Sequence, residues 1–116
     1  MSDEVQRQLP LTPTVFHMLL ALADGDKHGY GIMKAVEAET QGQMQIRVGS
    51  LYGSIGRMIE AGLVEEKDER PDPELDDQRR RYYGLTAFGK RVLSAEAARI
   101  AQAMAVIHNK HVLDGI

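Results

Sequence analysis

Residues 49–64, GSLYGSIGRMIEAGLV, set an apolar helical stripe beside a run of unusually small residues, and residues 79–89, RRRYYGLTAFG, follow after a polar interval. Leu51, Ile55, Met58 and Ile59 recur at spacings of three and four, which gathers them on one buried side of a helix. Ser50, or Gly49 before it, suits the N-cap, and Gly62 suits the left-handed residue that closes the last turn. The opposite side is left with Ser50, Tyr52, Gly53, Ser54, Gly56 and Arg57. Each glycine in a helix interior costs roughly 0.5–1 kcal/mol relative to alanine. Local propensity therefore does not account for the small face. A surface that approaches closely does, whether it is a neighbouring helix of the same chain or something outside it.

The segment that follows favours the second. Leu63 and Val64 open a short strand, and Tyr82, Tyr83 and Leu85 lie in the return strand, with Arg79, Arg80 and Arg81 leading into it. Between them residues 69–78, ERPDPELDDQ, carry two prolines and an acidic run that cannot form a ladder, so a loop is expected. Guanidinium forks match phosphate oxygens, and three arginines interleaved with tyrosines after such a loop make a phosphate-binding edge. A charge run is otherwise a solvated face; its position after a helix of this kind argues for DNA. A helix with a small polar face, followed by a hairpin with a basic second strand, is the pattern of a winged helix-turn-helix.

Residues 1–11 read as a flexible tail or an arm. Thr12 is a good N-cap with Pro13 at the first helical position, opening a helix through Ala23 with Phe16, Leu19, Leu20 and Ala23 inward. Asp24, Gly25 and Asp26 end it. A second helix is expected over residues 29–40, burying Ile32, Met33 and Val36, and residues 45–48 alternate enough to supply a strand that pairs with the wing. His28 reads as a cap or packing residue and His17 as a hydrogen-bonded neighbour of the core.

A long C-terminal helix is expected over residues 87–112. Leu93, Ala97, Ile100, Met104 and Ile107 alternate spacings of four and three, a heptad seam. A helix of that length has nowhere within a small winged domain to bury such a stripe, so pairing with a second copy is expected; a cap over the first helix is the alternative. The organisation is thus a tail (residues 1–11), a winged domain (12–86) and a C-terminal dimerisation helix (87–116), mainly α with a small β-hairpin.

Four pieces in order resemble the PadR family of transcriptional regulators: LLALADGDKHGYGIMK at residues 19–34, GSLYGSIGRMIEAGLVEEK at 49–67, RRRYYGLTAFGKRVL at 79–93, and the single C-terminal helix. Gly53 stands where that family often has proline. The resemblance implies a homodimeric regulator, a repressor, that binds an inverted repeat in double-stranded DNA. It also implies that Tyr30 and Lys34, one helical turn apart, meet a backbone phosphate. The expected DNA contacts are Tyr30, Lys34, Ser50, Tyr52, Ser54, Arg57, Arg79, Arg80 and Arg81. No cofactor or metal is expected, and the small-molecule effector, if one is sensed, is unknown.

Composition narrows the alternatives. The chain has 116 residues, enough for one domain, and no cysteine, which removes thiol chemistry, zinc fingers and disulfides. The N-terminal segment MSDEVQRQLP is no signal peptide and no apolar run is of membrane length, so a cytoplasmic protein is expected. The net charge of −3 opposes nucleic acid only in sum. What faces the phosphates is local, and the arginines are segregated from the acidic stretches. An enzyme finds no support: there is no phosphate-cradling glycine loop and there are no paired carboxylates around a histidine. His108, His111 and Asp114 suit a helix end better than a metal site. A winged module that binds protein instead of DNA is the remaining rival.

Overall fold

The computed structural model describes residues 3–67 and 81–115. The elements run α1 (Asp3–Arg7), α2 (Pro13–Ala21), β1 (Lys27–His28), α3 (Gly29–Glu39), α4 (Val48–Glu60), β2 (Val64–Lys67), β3 (Tyr82–Leu85) and α5 (Ala87–Asn109). Thr12 caps α2, its hydroxyl accepting from the Val15 amide at 3.3 Å with Pro13 at the first helical position. His28 caps α3 through Nδ1, which accepts from the Gly31 amide at 2.9 Å.

The strands form one antiparallel sheet in the order β1-β3-β2, with Val64 opposite Leu85, Lys67 opposite Tyr82, and Lys27 opposite Tyr83. The third strand is not the expected 45–48 segment. Ile46 is buried in the core and Arg47 is the extended N-cap of α4, so that stretch is consumed in starting the helix. The Lys27 ammonium instead ties down the turn after α2, donating to the Ala21 carbonyl and the Asp24 carboxylate at 2.6 Å each. The residues that follow then lie alongside β3.

The core joins Met18, Leu19, Ala21 and Leu22 with Ile32 and Val36 of α3, Leu51, Ile55 and Met58 of α4, Val64 and Tyr83 of the sheet, and Val92 and Leu93 of α5. On α2 the inward side is Met18, Leu19 and Ala21, and the capping Leu22 is buried with them. Leu20 and Ala23, expected inside, are exposed, and Phe16 is half-buried. Residues 18–23 are apolar throughout, so periodicity alone does not choose the face. The N-terminal segment also departs from expectation: residues 3–7 are helical, Val5 is buried in the core, and α1 packs on α5.

α5 is capped by Thr86, whose hydroxyl accepts from the Gly89 amide at 2.8 Å. It ends at Asn109, three residues short of expectation, and His111 beyond it adopts a left-handed backbone at φ 57°.

Candidate DNA interface

α4 begins at Val48 with Arg47 as an N-cap that makes no side-chain cap bond, so Ser50 lies in the first turn, exposed, and is not the cap. Gly62 takes φ 77°, the conformation that turns the chain from α4 into β2. The buried side is Leu51, Ser54, Ile55 and Met58, while Ile59 lies at its exposed margin. Ser54 therefore leaves the expected contact set. It is 7% exposed, and its hydroxyl accepts from Arg57 Nη2 at 3.1 Å, which makes it a holder of that arginine.

The outward side presents Gly49, Ser50, Tyr52, Gly53, Gly56 and Arg57, all exposed. A methyl group added at Gly49 or Gly56 would meet no described atom within 4 Å, and one at Gly53 would meet only the end of Arg57 at 3.5 Å. Among the described residues, then, no neighbour within the chain accounts for the small residues on this side.

Tyr52 is 55% exposed but stands on a floor. A β-carbon at Gly29 would lie 2.8 Å from the Tyr52 phenol oxygen and 2.9 Å from its ring. The absent side chain at the first position of α3 is what seats the tyrosine. Gly29 directly precedes Tyr30, which is half exposed, and the Lys34 ammonium lies 5.3 Å from the centre of the Tyr30 ring. The start of α3 and the open side of α4 thus meet at Tyr52. Tyr83 of β3 completes this corner: burial, then the charge of Glu66, then Tyr52 push its phenol above the usual tyrosine range. It stays a neutral hydrogen-bonding group at physiological pH.

On the wing, Arg81 pairs with Glu66 on the neighbouring strand, a pairing that raises the guanidinium pKa further, yet Arg81 stays mostly exposed. Lys67 pairs with Glu65 at 2.8 Å, and His28 meets Tyr82 edge to face at 5.5 Å. Arg79 and Arg80 lie outside the described residues. The structure therefore gathers Tyr30, Lys34 and Tyr52 around the α3–α4 corner, with Ser50 and Arg57 on the same open side of α4 and Arg81 directly before the central strand of the sheet. Two participants have no sequence signal of their own as parts of this site: Gly29, where the second helix is expected to start, and Glu66, which holds Arg81.

The C-terminal seam divides in two. Leu93 is buried in its own domain and is removed from the expected interface. Ala97, Ile100 and Met104 are exposed and Ile107 is partly so, with Ile100 at 39% and Met104 at 42%. The division has a simple cause. Gly89, Val92, Leu93 and Glu96 face the winged domain, and α5 then runs past the end of that domain. His111 Nδ1 lies 2.7 Å from the Asp114 carboxylate, and no three metal-binding side chains cluster among the described residues. No helix among them is long and apolar enough to cross a membrane.

The model of the PadR-like family of transcriptional regulators matches residues 18–95, from the inward face of α2 to the first turns of α5. The chain belongs to that family. That family is one of transcriptional regulators, not of enzymes. It is also 36% identical over 85 residues to an uncharacterised 37.1 kDa protein in a transposon of Streptomyces fradiae, of which it spans about a fifth of the length, 22%. Solved structures share the winged fold. A transcriptional regulator from Clostridium thermocellum superposes with a TM-score of 0.66 at 23% identity over 94% of this chain and 96% of that one. A PadR-family regulator from Clostridium difficile gives 0.62 at 24% identity over 81% and 95%. PadR of Bacillus subtilis, solved in complex with operator DNA, gives 0.59 at 20% identity over 74% of this PadR-family chain and 47% of that one.

Proposed function

We propose that this PadR-family regulator acts in the cytoplasm as a homodimer that binds an inverted-repeat operator in double-stranded DNA and represses transcription from it. The observation that carries the reading is the open side of α4, where Gly49 and Gly56 face no described neighbour in their own chain. Each such glycine costs helix stability, and a DNA groove approaching the helix backbone is a reason to bear that cost. Tyr52 and Arg57 supply the side chains that reach base edges or phosphates, and Tyr30 and Lys34 the contacts at the start of α3. PadR of Bacillus subtilis, similar in fold over 74% of this chain, is solved in complex with operator DNA.

Two further features fit. The Arg81–Glu66 pair is exposed, and pairs of that kind are worth only about 0–1 kcal/mol, so Arg81 exchanges Glu66 for a phosphate at little cost. Arg79 and Arg80, which precede Arg81 in the sequence, supply further phosphate contacts in this reading. The apolar end of α5, with Ala97, Ile100, Met104 and Ile107, is the dimer surface. A two-fold dimer presents its two α4 helices to successive turns of the groove, so the half-sites lie about 34–36 Å apart.

The test is selection of bound duplexes from a random pool by purified protein at fixed salt. Enrichment of a palindrome supports the reading. A folded protein that enriches no sequence, and whose retention of DNA is unaffected by changing Tyr52 and Arg57, is instead the protein-binding module.

A further inference from the structure

The link between the recognition helix and the dimer helix is unusually direct. The Thr86 hydroxyl donates to the Gly62 carbonyl at 2.5 Å, and the Thr86 amide donates to the Leu63 carbonyl at 3.1 Å. Both carbonyls belong to the corner where α4 turns into β2. The same hydroxyl accepts from the Gly89 amide and so also caps α5. At Gly89 a β-carbon would lie 1.9 Å from the Leu63 carbonyl oxygen, so the first turn of α5 rests on the backbone of that corner with no side chain between. Two turns further along the same side of α5, Glu96 is 1% exposed and accepts from the Leu11 amide at 2.6 Å, while its other oxygen accepts from Arg99 Nε. Val92 and Leu93 are buried between these two anchors.

Two anchors on one helix fix direction as well as position. The first joins α5 to the end of α4, and the second joins it to the segment leading into α2. From this geometry we propose that Thr86, Gly89 and Glu96 are positioning residues that set the angle between α4 and α5, and with it the spacing between operator half-sites that the dimer accepts. The proposal rests on the dimeric DNA-binding reading given above. None of the three residues touches the open side of α4. Beyond Glu96 the dimer seam extends about 16 Å to Ile107, and a tilt of about 10° over that arm moves its far end by about 3 Å relative to the recognition helix, close to the rise of one base pair. Release of either anchor therefore alters spacing without altering the half-site sequence.

The chain has no cysteine, so a single exposed site, Glu60→Cys at the end of α4, takes one spin label per subunit. Double electron–electron resonance on the labelled protein reads the distance between the two α4 helices without DNA. The labelled parent should give one narrow distance. Thr86→Val and Glu96→Gln, each chosen to keep side-chain volume, should replace it with a broad or shifted distribution, and Thr86→Ser should restore it. In duplex selection the same two variants should recover the parent half-site at more than one spacing. A merely structural role would lower the unfolding temperature of the variants and leave the native distance and the spacing unchanged. That result, in folded variants, overturns the proposal. Should Thr86→Val or Glu96→Gln fail to fold, Thr86→Ala and Glu96→Asp carry the same comparison. A parent that shows no intersubunit distance fails as a dimer, and a parent that shows one but enriches no palindrome fails as an operator reader; either removes the basis of the proposal by a readout different from an unchanged spacing.

Discussion

Gly56→Ala separates the needs of the helix from the needs of its partner, because the two pull in opposite directions. Gly56 lies inside α4, exposed, and an added methyl meets no described atom within 4 Å. The substitution should therefore stabilise the protein by the helix propensity difference, about 0.5–1 kcal/mol. For a chain of this size that raises the unfolding temperature by about 2–6 °C. If DNA approaches this face, the same methyl holds the groove away from the helix backbone, and a loss of about 1–2 kcal/mol, roughly tenfold in affinity, is expected. Urea or thermal unfolding gives the first quantity, and fluorescence anisotropy with the selected operator at constant salt gives the second. Gly89→Ala is the contrast: its methyl would strike the Leu63 carbonyl oxygen, a backbone atom that cannot rotate aside, and stability should fall by about 3 kcal/mol, the upper range for overpacking. A Gly56→Ala protein that is more stable and binds operator with unchanged affinity would refute the assignment of the small face to DNA.

Three further outcomes follow from the same geometry. Changing Ile100 and Met104 together to glutamate sets like charges across the two-fold axis, so light scattering should report a monomer, folded because both side chains are already partly exposed in the single chain; a persisting dimer would place the interface elsewhere. The hydrogen bond from Arg99, aided by the Leu11 amide against the opposing effect of burial, holds the Glu96 carboxyl below the usual range, so its contribution to stability is complete above about pH 4.3 and is lost as the pH falls toward the lowered value. Glu96→Gln should flatten that acid limb of the unfolding curve, and an unaltered limb would show that the pair does not contribute. Arg81→Ala should weaken operator and random DNA alike and reduce the slope of log affinity against log salt by about 0.9, whereas Glu66→Gln should strengthen random-sequence binding most at low salt; loss of operator preference at an unchanged slope would mean that Arg81 reads bases.

Local signals find the four longer helices because each carries its own: Thr12 and His28 supply caps, Gly62 a stop, α4 an apolar stripe and α5 a heptad, whereas the short α1 carries none. Where residue type and spacing disagreed, spacing was the better guide. Ser54 is polar, which by residue type places it outward, yet residues 51, 54, 55 and 58 are one stripe, and Arg57 supplies the hydrogen-bond partner that offsets its burial. β1 has no periodic signal at all in two residues; it exists because β3 offers it an edge, a tertiary cause that no short window contains. The Gly29–Tyr52 seat and the Glu96–Leu11 anchor join residues distant in sequence, the second pair 85 positions apart, so nothing near either residue announces its partner. The heptad on α5 shows why an interface is harder to read than a helix. Leu93 and Ile100 share one phase of the repeat, but the first is buried in its own domain and the second is exposed. The repeat specifies which side of the helix is apolar, while the point at which α5 outruns its domain decides whether that side meets its own chain or another, and that point is set by the anchors at Gly89 and Glu96.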